Sequence, residues 1–173
     1  AWETEEVQDI LRDLWMCVDI RLNNNMPRSH FLGGILMVSD EQAGSPVVTR
    51  EVIDGQQRLA TISLLGVVLI NYFRKLAQEV DEQIRKENIN WQANELSSSY
   101  VEFNKMVDLE QKTIQRLVMS RADRDFFRKK IHGEHAEMSR ESHRRIAEAY
   151  SKIDSSVADK LQTAESADRR QEI

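Results

Sequence analysis

Five consecutive residues combine a carboxylate, a glycine, two amides and a guanidinium: Asp54, Gly55, Gln56, Gln57 and Arg58. β-branched residues precede them and a long apolar stretch follows, which predicts that a strand ends and a helix begins at this point. Backbone N–H groups in the first turn of a helix have no partner inside the helix, and together with the helix dipole they attract phosphate. These five residues, hereafter the 54–58 turn, are therefore a candidate nucleotide site.

The side chains of the 54–58 turn suit a phosphate ligand in different ways. Asp54 could hold a divalent metal or orient an attacking water, and Gly55 allows a positive φ or a close approach to the ligand. Gln56 and Gln57 each bring a donor and an acceptor. Arg58 opposes the helix dipole in the first turn of a helix. An anionic ligand would remove that conflict.

A purely structural interpretation of the same residues stays open. Asp54 and Gly55 are ordinary turn residues, and Arg58 would then pair with Glu51 or Asp54. The segment is not a P-loop, because the Gly-Lys-Ser/Thr ending is absent. The residue types alone leave a functional site and a plain turn as alternatives.

Hydrophobic periodicity predicts the elements that position this turn. A first helix is predicted from Thr4, because its apolar residues fall on one face. Residues 31–38 predict a buried strand, and residues 47–53 predict a second strand paired with it, with a turn at residues 40–46. The helix from Gln56 is apolar on most faces, which places it in the core.

The second half of the chain has weaker patterns. Residues 76–87 predict a polar helix, residues 88–99 a loop and residues 114–119 a third strand. Two more helices are predicted, one after a start at residues 120–123 that resembles a capping box, and one from about Ser142. The expected fold class is α+β and rich in helix.

Composition limits the classes of function. The net charge is −5, so the protein is not a basic surface for nucleic acid as a whole. The locally basic residues 116–145 leave contact with DNA open, although a solvated helix surface is the more common explanation. The single cysteine, Cys17, excludes an internal disulfide and favours a reducing, cytoplasmic location.

Two further classes of site are not expected. The longest apolar run, residues 62–70, is shorter than the roughly 20 residues that cross a bilayer, so no membrane partner is predicted. His132 and His135 have a spacing that fits no zinc pattern, so no protein-held metal site is predicted.

Residues 52–62, Val-Ile-Asp-Gly-Gln-Gln-Arg-Leu-Ala-Thr-Ile, resemble the signature of the GmrSD-type restriction endonuclease N-terminal domain family. The likeness extends to residues 2–14, to residues 31–35 and to positions between Arg116 and Tyr150, so it covers most of the chain. It implies a small sheet related to the ParB and sulfiredoxin group, a buried central helix and a helical extension. By this resemblance, residues 1–110 form a ParB-like nucleotide-binding domain and residues 111–173 form a helical extension of the same domain.

The resemblance also implies a function. Members of this family act in bacterial defence against phage, often by coupling nucleoside triphosphate hydrolysis to recognition of modified DNA. Carried over, Asp54, Gln57 and Arg58 are catalytic, and the whole 54–58 turn binds a nucleoside triphosphate with its Mg²⁺. DNA and an attached or separate HNH-type nuclease are the implied partners. The alternative is a regulatory module that binds DNA or a nucleotide without hydrolysing it.

Two departures from the family pattern bear on this expectation. The Gln-Arg-x-aromatic motif that precedes the tryptophan matched by Trp2 is missing, so half of the nucleotide pocket is expected to lie outside this chain. The HNH-type nuclease part, with its histidine-centred metal site, is also absent, so no nuclease activity is expected from the chain itself. Ala60 replaces the usual threonine and is a minor change.

Overall fold

A computed structural model describes residues 4–24, 31, 33–40 and 47–163 of the protein. Its α-helices are α1 Thr4–Asn24, α2 Gln56–Glu79, α3 Gln83–Leu96, α4 Arg124–Ile131 and α5 Glu141–Gln162, and a π-helical turn at Ser97–Val101 follows α3. Its strands are β1 Leu36–Asp40, β2 Thr49–Asp54, β3 Glu102–Val107 and β4 Glu110–Gln115.

The described strands form two separate antiparallel hairpins, β1 with β2 and β3 with β4, while most other residues are helical. This confirms the expected α+β, helix-rich fold class. The predicted pairing of the first two strands is also confirmed, with Asp54 opposite Leu36 at the end next to α2. The more specific likeness of the sheet to ParB and sulfiredoxin stays a prediction.

The central helix α2 forms the middle of the core, as its apolar faces predict. Ala60, Leu64 and Val68 are fully buried, and α3, α5 and the π-helical turn all pack against α2. A Cβ atom at Gly66 would lie 3.2 Å from the Cβ atom of Tyr100. A neighbouring segment therefore packs directly on the glycine, and a larger residue would force it away.

By length and composition alone, α2 could also cross a membrane. However, half of its most apolar window is buried inside the protein. The core helix of a soluble protein passes the same test, so packing is sufficient to explain its apolarity.

The first predicted strand differs in its bounds and its burial. β1 begins at Leu36, after Gly33, whose φ of +95° does not fit a strand. The side chains of its residues 36–39 are exposed, because the described residues place no second layer over this two-stranded hairpin. The turn expected at residues 40–46 lies outside the described residues, apart from Asp40 at the end of β1.

Four predictions for the second half were wrong in part. The polar helix expected at residues 76–87 is interrupted, because α2 ends at Glu79 and α3 begins at Gln83. Residues 88–99 belong to α3 and to the π-helical turn and are not a loop. The third strand is β4, which ends at Gln115, and its partner β3 was not predicted. The Ser120 hydroxyl donates to the Asp123 carboxylate at 3.2 Å, and no side chain caps α4, so the expected capping box is absent from this described helix start.

Helix α5 holds the two halves of the described chain together. The Trp15 indole N–H donates to the Ser156 hydroxyl at 2.7 Å, and Lys160 pairs with Asp19. Ile153 of α5 and Val68 of α2 belong to the same buried cluster. Residues on both sides of position 110 thus share one core, while the division into a nucleotide-binding part and an extension stays a prediction.

Candidate functional site

The 54–58 turn has the geometry of a tight strand-to-helix junction. Asp54 is the last residue of β2, and Gly55 is the N-cap of α2 with a φ of +91°. A Cβ atom at this buried glycine would lie 3.1 Å from Cγ1 of Ile35. Both the backbone conformation and the close approach of Ile35 therefore require glycine here.

The N-terminus of α2 has no side-chain cap, and no acidic residue lies in its first turn. Its first helical hydrogen bond runs from the Leu59 N–H to the Gly55 carbonyl at 3.1 Å. The Gln56 side chain turns back and donates to the Val52 carbonyl at 2.7 Å. In the part of the chain that the structure describes, no side chain caps the backbone N–H groups at the start of α2, so they are available to a ligand, while one amide donor of Gln56 is already used.

The Arg58 guanidinium is held by the segment that precedes β1. Its Nη1 donates to the Gly34 carbonyl at 2.9 Å. It also lies flat against Gly33, where a Cβ atom would be 3.0 Å from the Arg58 Cζ. Within the described residues Arg58 makes no ion pair with Glu51 or Asp54, so the structural alternative drawn from the sequence is not the arrangement found.

All five residues of the turn line one cleft of about 490 Å³, hereafter the α2 cleft. The opposite side is formed by α1, through Glu6, Asp9 and Ile10. The buried Thr61 lies one turn further along α2 and also lines the cleft. The structure therefore brings every site residue predicted from the sequence to a single concave surface.

The α2 cleft contains charges of both signs. Glu6, Asp9 and Asp54 supply carboxylates, whereas Arg58 supplies a cation. Asp9 is paired with the exposed Arg12, which neutralises part of this negative charge. Three carboxylates disfavour a bare polyphosphate, so the cleft suits an anion that carries its own cation.

Sequence reasoning missed four residues of this site. Glu6 suits the dipole of the first helix, Asp9 has no local signal of its own, and Gly33 and Gly34 were interpreted only as part of a strand. All four lie far from the 54–58 turn in sequence, so no local pattern indicates that they meet it. The position of Trp2 relative to the cleft lies outside the described residues.

The whole chain, residues 1–173, matches a family described as the GmrSD restriction endonuclease, N-terminal domain. The protein belongs to this family. The match confirms the resemblance found at residues 52–62 and extends it to the full length. A search among curated proteins found no significant match.

Membership in the GmrSD N-terminal domain family places the chain in restriction-type phage-defence proteins, and it links the domain to a nuclease and to DNA. The weaker candidate for chemistry, His132, approaches the Glu102 carboxylate at 3.6 Å. Over the described ranges, no three histidine, cysteine or acidic side chains are grouped so that they could hold a metal. The α2 cleft is thus the candidate that both the geometry and the family motif support.

Proposed function

We propose that the α2 cleft binds and hydrolyses a nucleoside triphosphate, as a module of a modification-dependent anti-phage restriction protein. One observation carries the proposal: the complete 54–58 turn faces a single cleft at the uncapped N-terminus of a core helix. A buried helix gives the phosphate-binding N–H groups a fixed direction, which reduces the entropy lost on binding.

Four of the five residues of the turn have an individual role in this proposal. The first N–H groups of α2 bind a phosphate, and Gly55 lets the chain pass close to it. Arg58 has five N–H donors, of which the Gly34 carbonyl takes one, so the remaining donors can bind the oxygens of the transferred phosphoryl group. Asp54 and Gln57 orient the attacking water.

Mg²⁺ fits this site only as part of the nucleotide complex. The described residues provide no cluster of three protein ligands, but Mg²⁺ in such sites needs one or two carboxylates in addition to substrate phosphates. Asp54, with Glu6 or Asp9 across the cleft, can supply them. When bound, the ion would neutralise charge on the phosphates; the protein residues hold and orient the nucleotide.

Within the whole protein, we infer that nucleotide turnover in the cytoplasm regulates an HNH-type nuclease that acts on phage DNA. The family links the domain to a nuclease and to DNA, and the proposed hydrolysis provides a step at which cleavage can be controlled. The Asp54 carboxylate at the cleft supports hydrolysis, because an acid at this place can orient an attacking water in addition to holding Mg²⁺.

Phosphate release by the purified protein with Mg²⁺ and each nucleoside triphosphate, with and without DNA, tests the proposal. Asp54→Asn should abolish release, whereas Asp81→Asn, an exposed aspartate outside the cleft, should leave it unchanged. A thermal shift without phosphate release would favour the binding module, since a ligand at a hundred times its Kd stabilises by about 2.7 kcal/mol. If no nucleotide gives either a thermal shift or phosphate release, both the hydrolysing module and the binding module are refuted.

A further inference from the structure

A second and larger cavity lies at the other end of α2. It has a volume of about 810 Å³ and is lined by the second half of α2, by α3 and α5, and by one residue of α1. We call it the aromatic groove, and its main apolar residues are Trp15, Leu69, Tyr72, Phe73, Trp91 and Leu161. At 1.5 Å per residue, Phe73 is about 24 Å along the helix from Gln57. The groove is therefore separate from the α2 cleft.

The apolar surface of the groove is not covered by the described residues. Trp91 is 63% exposed, although a tryptophan side chain is largely buried in most folded proteins. Leu69, Tyr72 and Phe73 on the floor are only half-buried. A contiguous exposed aromatic surface of this kind usually marks an interaction site.

The shape of the groove matches a helix. Its floor is α2, and its walls are α3 and α5, which both pack against α2 and make few contacts with each other. Residues 69–79 of α2 run along the floor, which corresponds to about 16 Å or three helical turns. Helices pack 8–10 Å apart, so a fourth helix can rest on α2 between the two walls.

The charges around the groove favour a basic partner. Glu95 lines its margin, and Asp154 lies beside the groove, where it accepts a hydrogen bond from the Tyr72 hydroxyl. The lysine at the margin, Lys75, already lies over the Tyr72 ring, 5.0 Å from its centroid. An aromatic floor with a mainly acidic margin attracts cationic side chains.

We propose that the aromatic groove binds an amphipathic helix of a partner protein, about three turns long, with an apolar stripe on α2 and Lys or Arg residues along both flanks. The stripe would follow the i, i+3 or i+4, i+7 spacing of helices that bind in grooves. Trp91 is the expected anchor, because large aromatic residues dominate the energetics of such interfaces. The proposal does not depend on nucleotide binding at the α2 cleft.

The test is a selection from a display library of three-turn helical peptides randomised on their surface positions. Peptides are enriched on the full protein alone, and their affinities for the full protein and for the Trp91→Ala variant are then measured. Met106→Ala is the matched control, because Met106 is an exposed apolar residue, 61% accessible, on β3 and away from the groove. Melting temperatures of both variants verify that each is folded.

We expect the selected peptides to share the apolar spacing and to carry Lys or Arg on the flanks. Trp91→Ala should weaken their binding at least tenfold, Met106→Ala less than twofold, and Glu95→Lys should reverse the preference from basic to acidic flanks. Selected peptides that bind Trp91→Ala as tightly as the full protein, or that lack the helical spacing, would overturn the proposal. The proposal would also be overturned if no helix is selected and the aromatic cation 9-aminoacridine binds in a way that Trp91→Ala weakens. The groove would then be a small-molecule pocket.

Discussion

Replacing Gly33 by alanine should displace Arg58 without changing any residue of the 54–58 turn. The new Cβ atom would lie 3.0 Å from the Arg58 Cζ and 3.1 Å from its Nε, closer than the 3.4–4 Å of ordinary contact. The guanidinium is the far end of a flexible side chain, so it should move away from Gly33 and away from the Gly34 carbonyl that now orients it. Alanine at a φ of +95° should also destabilise the folded state by roughly 1–2 kcal/mol.

Gly34→Ala provides the matched control for this change. Among the described residues other than its chain neighbours, no atom lies within 4 Å of a Cβ built on Gly34, and this glycine does not have a positive φ. The adjacent substitution should therefore change the free energy of unfolding by no more than about 0.5 kcal/mol. It should leave the position of the Arg58 guanidinium, and therefore the nucleotide affinity, unchanged.

Two measurements on the same proteins separate the effects. Urea unfolding gives the loss of stability, and titration with Mg²⁺ and a nucleoside triphosphate at a temperature where both variants are folded gives the affinity. Gly33→Ala should weaken binding about tenfold or more, since charge-assisted hydrogen bonds contribute about 1.5–3 kcal/mol. Equal affinities for the Gly33 and Gly34 variants would refute the reasoning that the position of Arg58 controls binding.

Three further predictions test the remaining conclusions. Arg58→Ala should change the melting temperature little, because removing a cation from a helix N-terminus offsets the loss of the exposed hydrogen bond to the Gly34 carbonyl. Nucleotide affinity should nevertheless fall tenfold or more, and Arg58→Lys should rescue the affinity only in part. Leu64→Ala should cost about 2–5 kcal/mol of unfolding free energy, and Leu65→Ala less, because Leu64 is fully buried and Leu65 is half-buried. The chain alone should not cleave plasmid DNA; metal-dependent nicking abolished by changing His132 or His135 would contradict this.

The elements around the 54–58 turn could be predicted because their signals are local. The β-branched residues of β2, the glycine at the turn and the apolar faces of α2 each belong to one continuous segment. Their physical consequences are a paired strand, a left-handed N-cap and a buried helix, and the structure has all three. The family motif occupies the same segment, so the candidate site could also be predicted.

The other elements depend on contacts that the sequence pattern does not display. In α3 only Ile89 and Ala93 are buried, so its periodicity is too weak to distinguish a helix from a loop. The hairpin of β3 and β4 is mostly exposed, and Phe103 is covered by the Arg116 guanidinium, 4.1 Å from the ring centroid. The contact of Gly33 with Arg58 joins distant parts of the chain, and such a contact is decided only by the tertiary fold.

One helix supplies both the cleft and the floor of the groove, and this restricts how the family can diversify. The middle of α2 is buried against its neighbours, and Tyr100 packs on Gly66. A change of side-chain volume there would shift the backbone at both ends together. Among homologues we therefore expect side-chain size to be preserved in the middle of α2 and residue type to be preserved at its first turn. The groove residues should vary together with the helix that they bind. New partners can then evolve while the residues of the cleft are preserved.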